Sequence, residues 1–197
     1  MNKKLQEELV TMKQADLRLR DSLLKNGSLY EGYDDEMESL HLHNAERLGE
    51  IVQSHGWPGK SLVGKEGADA AFLIAIHAIS NPPLQRSFLR ALKQAVLKEE
   101  ATETQQACLQ DRILFNQGKP QKFGMLFDWN ENGHLYTGVD DIELANQRRK
   151  ELGLKTVQQA TDIHRKEVEA EGGGPPKDIK RHSQMALEWA VKVGWRT

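Results

Sequence analysis

The sequence predicts a mainly α fold, a compact helical bundle with one β-hairpin and a C-terminal helical extension. Through the first 117 residues apolar side chains recur at intervals of three, four or seven, which is typical of amphipathic helices. Around Asn130-Glu131-Asn132-Gly133 the pattern changes to two aromatic-rich runs, which indicates a hairpin. A glycine- and proline-rich run at 172–177 then separates a final helical segment from the rest.

Each predicted helix is delimited by residues that cap or stop helices. The predicted bounds are Asn26-Gly27 at the end of the first helix, Asp34 or Asp35 to Gly56 for the second, after Gly67 to about Ile79 for the third, the prolines at 82–83 at the start of the fourth, Thr102 to about Gln117 for the fifth, Asp140 or Asp141 to near Gly153 for the sixth, and Thr156 at the start of the seventh. We therefore predict a helical domain with the hairpin at 1–154, a helical extension at 155–171, a linker at 172–177 and a C-terminal helix at 178–197.

Composition excludes several classes of protein. The chain has 197 residues with 27 Lys and Arg against 29 Asp and Glu, so it lacks the basic excess of a general nucleic-acid binder. Its single cysteine, Cys108, excludes an internal disulfide and fits a reducing compartment. The N-terminal segment lacks the apolar core of a signal peptide, and no apolar run has the length of a membrane span. We expect a soluble, cytoplasmic protein that does not associate with membranes.

The third predicted helix is apolar on nearly every side and is interrupted only by Asp69 and His77. Such a helix is normally buried, and ionisable groups on it need partners or serve a function. In one interpretation His77 faces a pocket as an acid/base or a ligand, with Asp69 nearby. In the other, His77 forms a hydrogen bond to a neighbouring helix, and Asp69 caps or pairs near the helix start. We take His77 as the candidate catalytic residue.

Further polar residues occupy positions that are expected to face inward. His41 and Asn44 lie one turn apart on the apolar stripe of the second helix, where they would converge with His77 or mark the edge of a wider stripe. His43 is expected to be solvated. Asp16 forms an i, i+4 pair with Arg20, which is typical of a surface salt bridge, although an orienting role in a site is the alternative.

A second group of candidates lies between the fifth helix and the hairpin. Asp111 and Arg112 stand between apolar residues, so at least one should face inward, and an inward arginine pairs with a carboxylate or recognises an anion. Gln121 offers a donor and an acceptor, and Gly124 indicates a close backbone approach or a bulge. We predict that Asp16, Asn44, Asp111, Arg112 and Gln121 contact a ligand. A metal site formed by His41, His77 and a carboxylate is conceivable, but no spacing is diagnostic of a metal or cofactor.

An ordered set of residues between about Leu9 and Leu154 carries a resemblance to a known family. The set is Asp16 through Arg20, Gly27-Ser28-Leu29, Asn44-Ala45-Glu46-Arg47-Leu48, His55-Gly56-Trp57-Pro58-Gly59, Leu62-Val63-Gly64, Gly67-Ala68, Ala70-Ala71, His77, Asp111-Arg112, Gln121 and Phe123-Gly124. Over residues 9–154 the chain resembles the bacterial domain-of-unknown-function family numbered 6624. The resemblance implies a shared, mostly helical domain and supplies no reaction. Where the family commonly has a tyrosine followed by Gly-Thr-Gln, this chain has Phe123-Gly124-Met125-Leu126.

Two functions are consistent with these observations. The first is a domain that binds or acts on a small charged ligand in a polar pocket between helices, and it leaves open whether the protein is an enzyme. In it His77 is the acid/base or hydrogen-bonding group, and Arg112 contacts an anion. The second is a non-catalytic interaction or regulatory module that uses residues 178–197, where Trp189 and Trp195 lie, to contact a protein partner.

Overall fold

The computed structural model describes residues 1–29 and 32–197. Within these residues it contains eight α-helices and a two-stranded antiparallel hairpin, which confirms the predicted mainly α fold. The elements are α1 (Lys3–Lys25), α2 (Asp35–His55), α3 (Lys60–His77), α4 (Pro82–Leu97), α5 (Glu103–Asn116), β1 (Asp128–Trp129), β2 (Leu135–Tyr136), α6 (Ile142–Glu151), α7 (Val157–Ala170) and α8 (Ile179–Lys192). None of the helices in the described part of the chain is long and apolar enough to cross a membrane.

Internal contacts group the described residues into two units. The N-terminal unit comprises Met1–Leu29 and Tyr33–Leu109, and the C-terminal unit comprises Gly32 and Gln110–Thr197. The division falls within α5, so that this helix begins in the first unit and ends in the second. The domain boundaries that the sequence predicts after residues 154, 171 and 177 stay predictions.

The N-terminal unit has its core among α1 to α4 and the start of α5. Helix α3 packs against α1, α2 and α4. Its residues Ala68, Ala71 and Ala75 are buried, and such small side chains let neighbouring helices approach closely. Trp57, in the turn that precedes α3, packs against this core as a partly buried side chain. The N-terminal unit is thus organised around the helix that the sequence identifies as buried.

Helix α3 begins earlier than the sequence predicts. Its first residue is Lys60. The helix is kinked at Gly64, whose φ of 68° lies in the left-handed region that favours glycine. Gly67, expected to end a linker, lies within the helix and is buried. A Cβ at Gly67 would lie 2.8 Å from the Cβ of Val63, so the glycine provides space for tight packing. His77 is the last residue of α3 and lies five positions before Pro82, the first residue of α4.

The C-terminal unit contains the hairpin and α6 to α8. The hairpin is confirmed but short, with only the pairs Asp128–Tyr136 and Trp129–Leu135. Trp195 is buried, and the Arg196 guanidinium donates hydrogen bonds to the carbonyl oxygens of Phe115 and Asn116 at the end of α5. The residues that follow α8 are therefore tied to α5 within this unit.

Candidate functional site

Three helices of the N-terminal unit bring one carboxylate and two imidazoles together. Asp16 comes from the middle of α1, His41 from the second turn of α2 and His77 from the end of α3. Asp16 lies seven residues from Leu9 and from Leu23, and all three side chains are buried on the same face of α1. We call Asp16, His41 and His77 the Asp–His–His triad.

The triad is centred on one oxygen atom of Asp16. The Oδ2 atom lies 2.7 Å from Nδ1 of His77 and 3.1 Å from Nε2 of His41. The ring centroids of the two histidines are 4.7 Å apart, with 38° between the ring planes. The hydroxyl of Tyr33 lies 2.7 Å from Nδ1 of His41, the second nitrogen of that ring. Both nitrogens of His41 therefore have close polar neighbours.

The two contacts of Asp16 differ in their geometry. The contact with His77 has the distance and direction of a hydrogen bond. The contact with His41 is at ion-pair distance, but its direction is not that of a hydrogen bond. Nε2 of His41 is therefore a buried nitrogen without a hydrogen-bond partner among the described residues. Buried polar groups are nearly always hydrogen-bonded, so this nitrogen requires an explanation.

His77 is the most exposed member of the triad. The side chains of Asp16 and His41 are 2% and 8% exposed, whereas that of His77 is 29% exposed. A ligand arriving from solvent would therefore meet His77 first, with Asp16 and His41 behind it.

The triad keeps Asp16 ionised. Burial by itself raises the pKa of this carboxyl group, but the interactions with His41 and His77 lower it by more, so that the pKa lies well below its usual range. The N-terminal unit consequently holds a buried negative charge that two imidazoles compensate. Such an arrangement is common at functional sites, where burial and charged partners shift pKa values together.

Asn44 is a further buried polar residue on the same face of α2. It lies three residues after His41, is 3% exposed, and its Nδ2 atom has no hydrogen-bond partner among the described residues. His43 is exposed, as the sequence predicts. Asp69, expected beside His77 in one interpretation, forms a salt bridge with Lys65 on the surface of α3. For both His77 and Asp69, therefore, the alternative interpretation describes the contacts that the structure shows.

The remaining predicted site residues belong to the C-terminal unit. Asp111 is fully buried and accepts hydrogen bonds from the backbone N–H groups of Lys122 (2.8 Å), Phe123 (2.9 Å) and Met125 (3.2 Å). The side-chain amide of Gln121 donates to the carbonyl oxygen of Leu126 and accepts from its N–H group, both at 2.8 Å. These two side chains organise the loop between α5 and the hairpin.

Arg149 of α6 supports the same loop. Its guanidinium donates hydrogen bonds to the carbonyl oxygens of Phe123 (2.8 Å) and Gly124 (3.1 Å). Arg112 follows Asp111 in α5 and is half-buried. The structure thus places Asp16, Asn44 and His77 in the N-terminal unit and Asp111, Arg112 and Gln121 in the C-terminal unit. The ligand contacts predicted for all six stay predictions.

Sequence reasoning did not identify Tyr33 or Arg149. Tyr33 precedes the N-cap residue of α2 and belongs to no periodic pattern, so the sequence carries no signal for its contact with His41. The i, i+4 spacing of Asp16 and Arg20 is typical of a surface pair, whereas Asp16 is buried and contacts both histidines. Its register with Leu9 and Leu23 is the signal that indicates burial.

Fold and site together define a mainly α domain with a buried Asp–His–His triad. The chain belongs to the family of unknown function DUF6624, whose family model matches residues 3–168. The match confirms the resemblance over 9–154 and extends it at both ends, and the whole triad lies within the matched residues. No curated protein and no solved structure is significantly similar to the chain.

Proposed function

We propose that the N-terminal unit binds or acts on a small charged ligand at the Asp–His–His triad, with His77 as the residue that meets the ligand. The observation that carries this proposal is the convergence of three ionisable side chains from three helices on one buried carboxylate oxygen. Burying charged groups costs several kcal/mol even when they are paired, and apolar residues of similar volume often give equal or greater stability. A functional role accounts for a triad at this position better than stability does.

Asp16 prepares His77 for acid–base chemistry. Because the carboxylate accepts a hydrogen bond from Nδ1, it favours the tautomer in which Nε2 is the basic nitrogen, and it stabilises the ring when that nitrogen takes up a proton. Tyr33 and His41 support Asp16 from the other side. The protonated imidazole of His77 would attract an anionic group, and the neutral imidazole would accept a proton from a bound ligand.

Thermal-shift measurements with inorganic phosphate, small carboxylates and nucleotides test the proposal. The wild type should be stabilised by at least one of these anions, and His77→Ala should lose most of that shift. His43→Ala is the matched control, because it removes an exposed histidine from α2 and leaves the triad intact. Absence of a shift in the wild type, or an equal shift in His77→Ala, would contradict the proposal.

A second candidate function is a protein-interaction module that uses α8. The observation in its favour is that Leu187 and Val191, one turn apart, are 41% and 45% exposed on a helix that lies beyond the residues matched by the family. Removing everything after residue 172 would also remove the buried Trp195, so surface substitutions test this function more cleanly than truncation. A partner retained by the wild type and lost by the variant Leu187→Glu/Val191→Glu supports it, and equal recovery contradicts it.

A further inference from the structure

We propose that the Asp–His–His triad binds a divalent transition-metal ion of the Zn²⁺ type. The inference rests on the proposed function and deepens it, because a bound cation would supply the positive charge that an anionic ligand needs. Two imidazoles and one carboxylate are ligands that Zn²⁺ and related ions accept. In this site the ligand atoms would be Oδ2 of Asp16, Nε2 of His41 and Nδ1 of His77. On binding the ion, Nδ1 of His77 would give up the proton that it donates to Asp16 in the metal-free protein, so His77 would then act as a metal ligand and not as a base.

The positions of these atoms suit a shared ion. All three lie within 4.8 Å of one another, and the two nitrogen–oxygen distances are 2.7 and 3.1 Å. Tetrahedral coordination with metal–ligand bonds of about 2.0–2.2 Å places neighbouring ligand atoms roughly 3.3–3.6 Å apart, so both separations from Asp16 would widen by less than about 1 Å around an ion. A small spreading of the side chains would admit the cation.

His41 provides the second, independent observation. Its side chain is 92% buried, as the complement of the 8% that is exposed, and its Nε2 atom lies 3.1 Å from Oδ2 of Asp16 without a hydrogen bond to any described residue. An unprotonated ring nitrogen this close to a carboxylate oxygen is unfavourable unless a cation or a proton lies between them. A metal ion between Nε2 and Oδ2 would satisfy both atoms.

Tyr33 occupies the position of an outer-shell partner. Histidines that bind metals usually form a hydrogen bond through their other ring nitrogen, which fixes the tautomer and the orientation of the ring. The hydroxyl of Tyr33 forms such a contact with Nδ1 of His41. If Nδ1 donates to this hydroxyl, Nε2 is left unprotonated and is able to bind the ion.

The partial exposure of His77 would allow a further ligand from solvent to bind the ion. The protein supplies three ligands, and the partly exposed side of His77 is the side from which water or an anion would complete the coordination. Three protein ligands with an open position are typical of catalytic zinc sites, in contrast to closed structural sites. The proposed ion would therefore bind the charged ligand directly.

Calorimetric titration of chelator-treated full-length protein with Zn²⁺ tests the inference. The wild type should bind one ion per chain, and His41→Ala and His77→Ala should each bind at least about 100-fold more weakly, since loss of an outer-shell partner alone costs about 10–100-fold. Tyr33→Phe should bind about 10–100-fold more weakly, and His43→Ala should bind like the wild type. Circular dichroism establishes that each variant is folded, and His77→Ala, at the most exposed ligand, is the variant best placed to retain the fold.

The outcomes separate this inference from the proposed function. If the wild type does not bind Zn²⁺ stoichiometrically, or if His41→Ala and His77→Ala bind it as the wild type does, the metal inference is wrong. If the metal-free wild type is nevertheless stabilised by phosphate or a carboxylate in a manner that requires His77, the proposed function stands without a metal. If Zn²⁺ binds at the triad and no anion stabilises the protein with or without it, the proposed function fails and the metal site remains.

Discussion

Asp16 is the residue on which the candidate site depends. Its carboxylate is almost completely removed from solvent, and its Oδ2 atom contacts both histidines. Removing one partner from a buried, charged cluster lowers the stability of a protein more than replacing the whole cluster with apolar residues does. The reason is that the remaining polar groups stay buried without a partner. Each member of the triad is therefore expected to respond strongly to substitution.

Asp16→Asn should destabilise the metal-free protein by about 2–3 kcal/mol at neutral pH, because the amide keeps the shape of the side chain and loses its charge. Urea denaturation gives the free energy of unfolding. Asp69→Asn is the matched control, since its salt bridge with Lys65 lies on the surface and should contribute less than about 1 kcal/mol. Equal losses in the two variants would show that the buried contacts of Asp16 stabilise the protein no more than a surface salt bridge does.

The lowered pKa of Asp16 also makes this contribution depend on pH. The pKa of this carboxyl group is about 3.9 in the unfolded chain and lower in the folded protein. Below about pH 5 the unfolded state therefore binds more protons than the folded state does. Stability from Asp16 is therefore fully present above that pH and is lost as the pH falls. The free-energy difference between the wild type and Asp16→Asn should narrow between pH 5 and pH 3, and a constant difference would contradict the assignment.

At the residue scale, the sequence predicted part of the site. His41 and His77 could be identified because each is a polar residue on an otherwise apolar helix face, and His43 could be set apart because it lies off that face. Asp16 was open to two interpretations, because a charge pair at i, i+4 is also the usual pattern of a solvated helix. The contact of Tyr33 with His41 depends on how the chain enters α2, which periodicity does not describe.

At the scale of elements, the loop that follows α5 is held by buried side chains together with one backbone bridge between Gln121 and Val139. Asp111 and Gln121 accept hydrogen bonds from four of the N–H groups of residues 122–126, and Gln121 and Arg149 donate to three of the carbonyl oxygens. Burial raises the pKa of Asp111, although the hydrogen bonds from the backbone oppose this rise. The loop lies beside a hairpin of two residue pairs, too short to stabilise it.

Asp111→Asn should loosen this loop. An asparagine has one acceptor oxygen in place of two, and its NH₂ group would face backbone donors, so at least one buried N–H group loses its partner at a cost of about 1–3 kcal/mol. Hydrogen exchange at the amides of Lys122, Phe123 and Met125 should become faster. Asp140→Asn, at an exposed carboxylate, is the control. Unchanged exchange at all three amides would contradict the role given to Asp111.

Elements were predicted well wherever local chemistry delimits them. Asp34, Asp141 and Thr156 cap α2, α6 and α7 as expected, and Thr156 forms a capping box with Gln159. The predicted start of α3, after Gly67, was wrong because glycine usually indicates the end of a helix or a loop. Here Gly64 adopts a positive φ at the kink of the helix, and Gly67 allows close packing. Both roles depend on tertiary contacts.

At the scale of the whole molecule, the fold class and the family could be predicted, but the contact of Asp16 with both histidines could not. Helical periodicity, caps and turn residues are local, so they define a mainly α chain without knowledge of its packing. The triad joins residues separated by 25, 36 and 61 positions, as the differences between 16, 41 and 77 show. Such separations follow from how α1, α2 and α3 pack, which no local pattern specifies.

The family match bears on function at the same scale. It spans α1 to α6 and most of α7, and it ends before the linker and α8. The triad and the loop around Asp111 therefore lie within the part that defines the family, whereas the exposed face of α8 lies outside it. A function shared by the family is therefore expected at the triad. A function of α8 would not follow from membership of the family.

The comparison of ligand-induced thermal shifts in the wild type, His77→Ala and His43→Ala tests the central claim most directly. It asks whether the buried triad, with His77 at its exposed side, is a ligand site. The account predicts a shift that rises with anion concentration in the wild type and in His43→Ala and is largely absent in His77→Ala. Equal shifts in all three proteins, or none in the wild type, would contradict it.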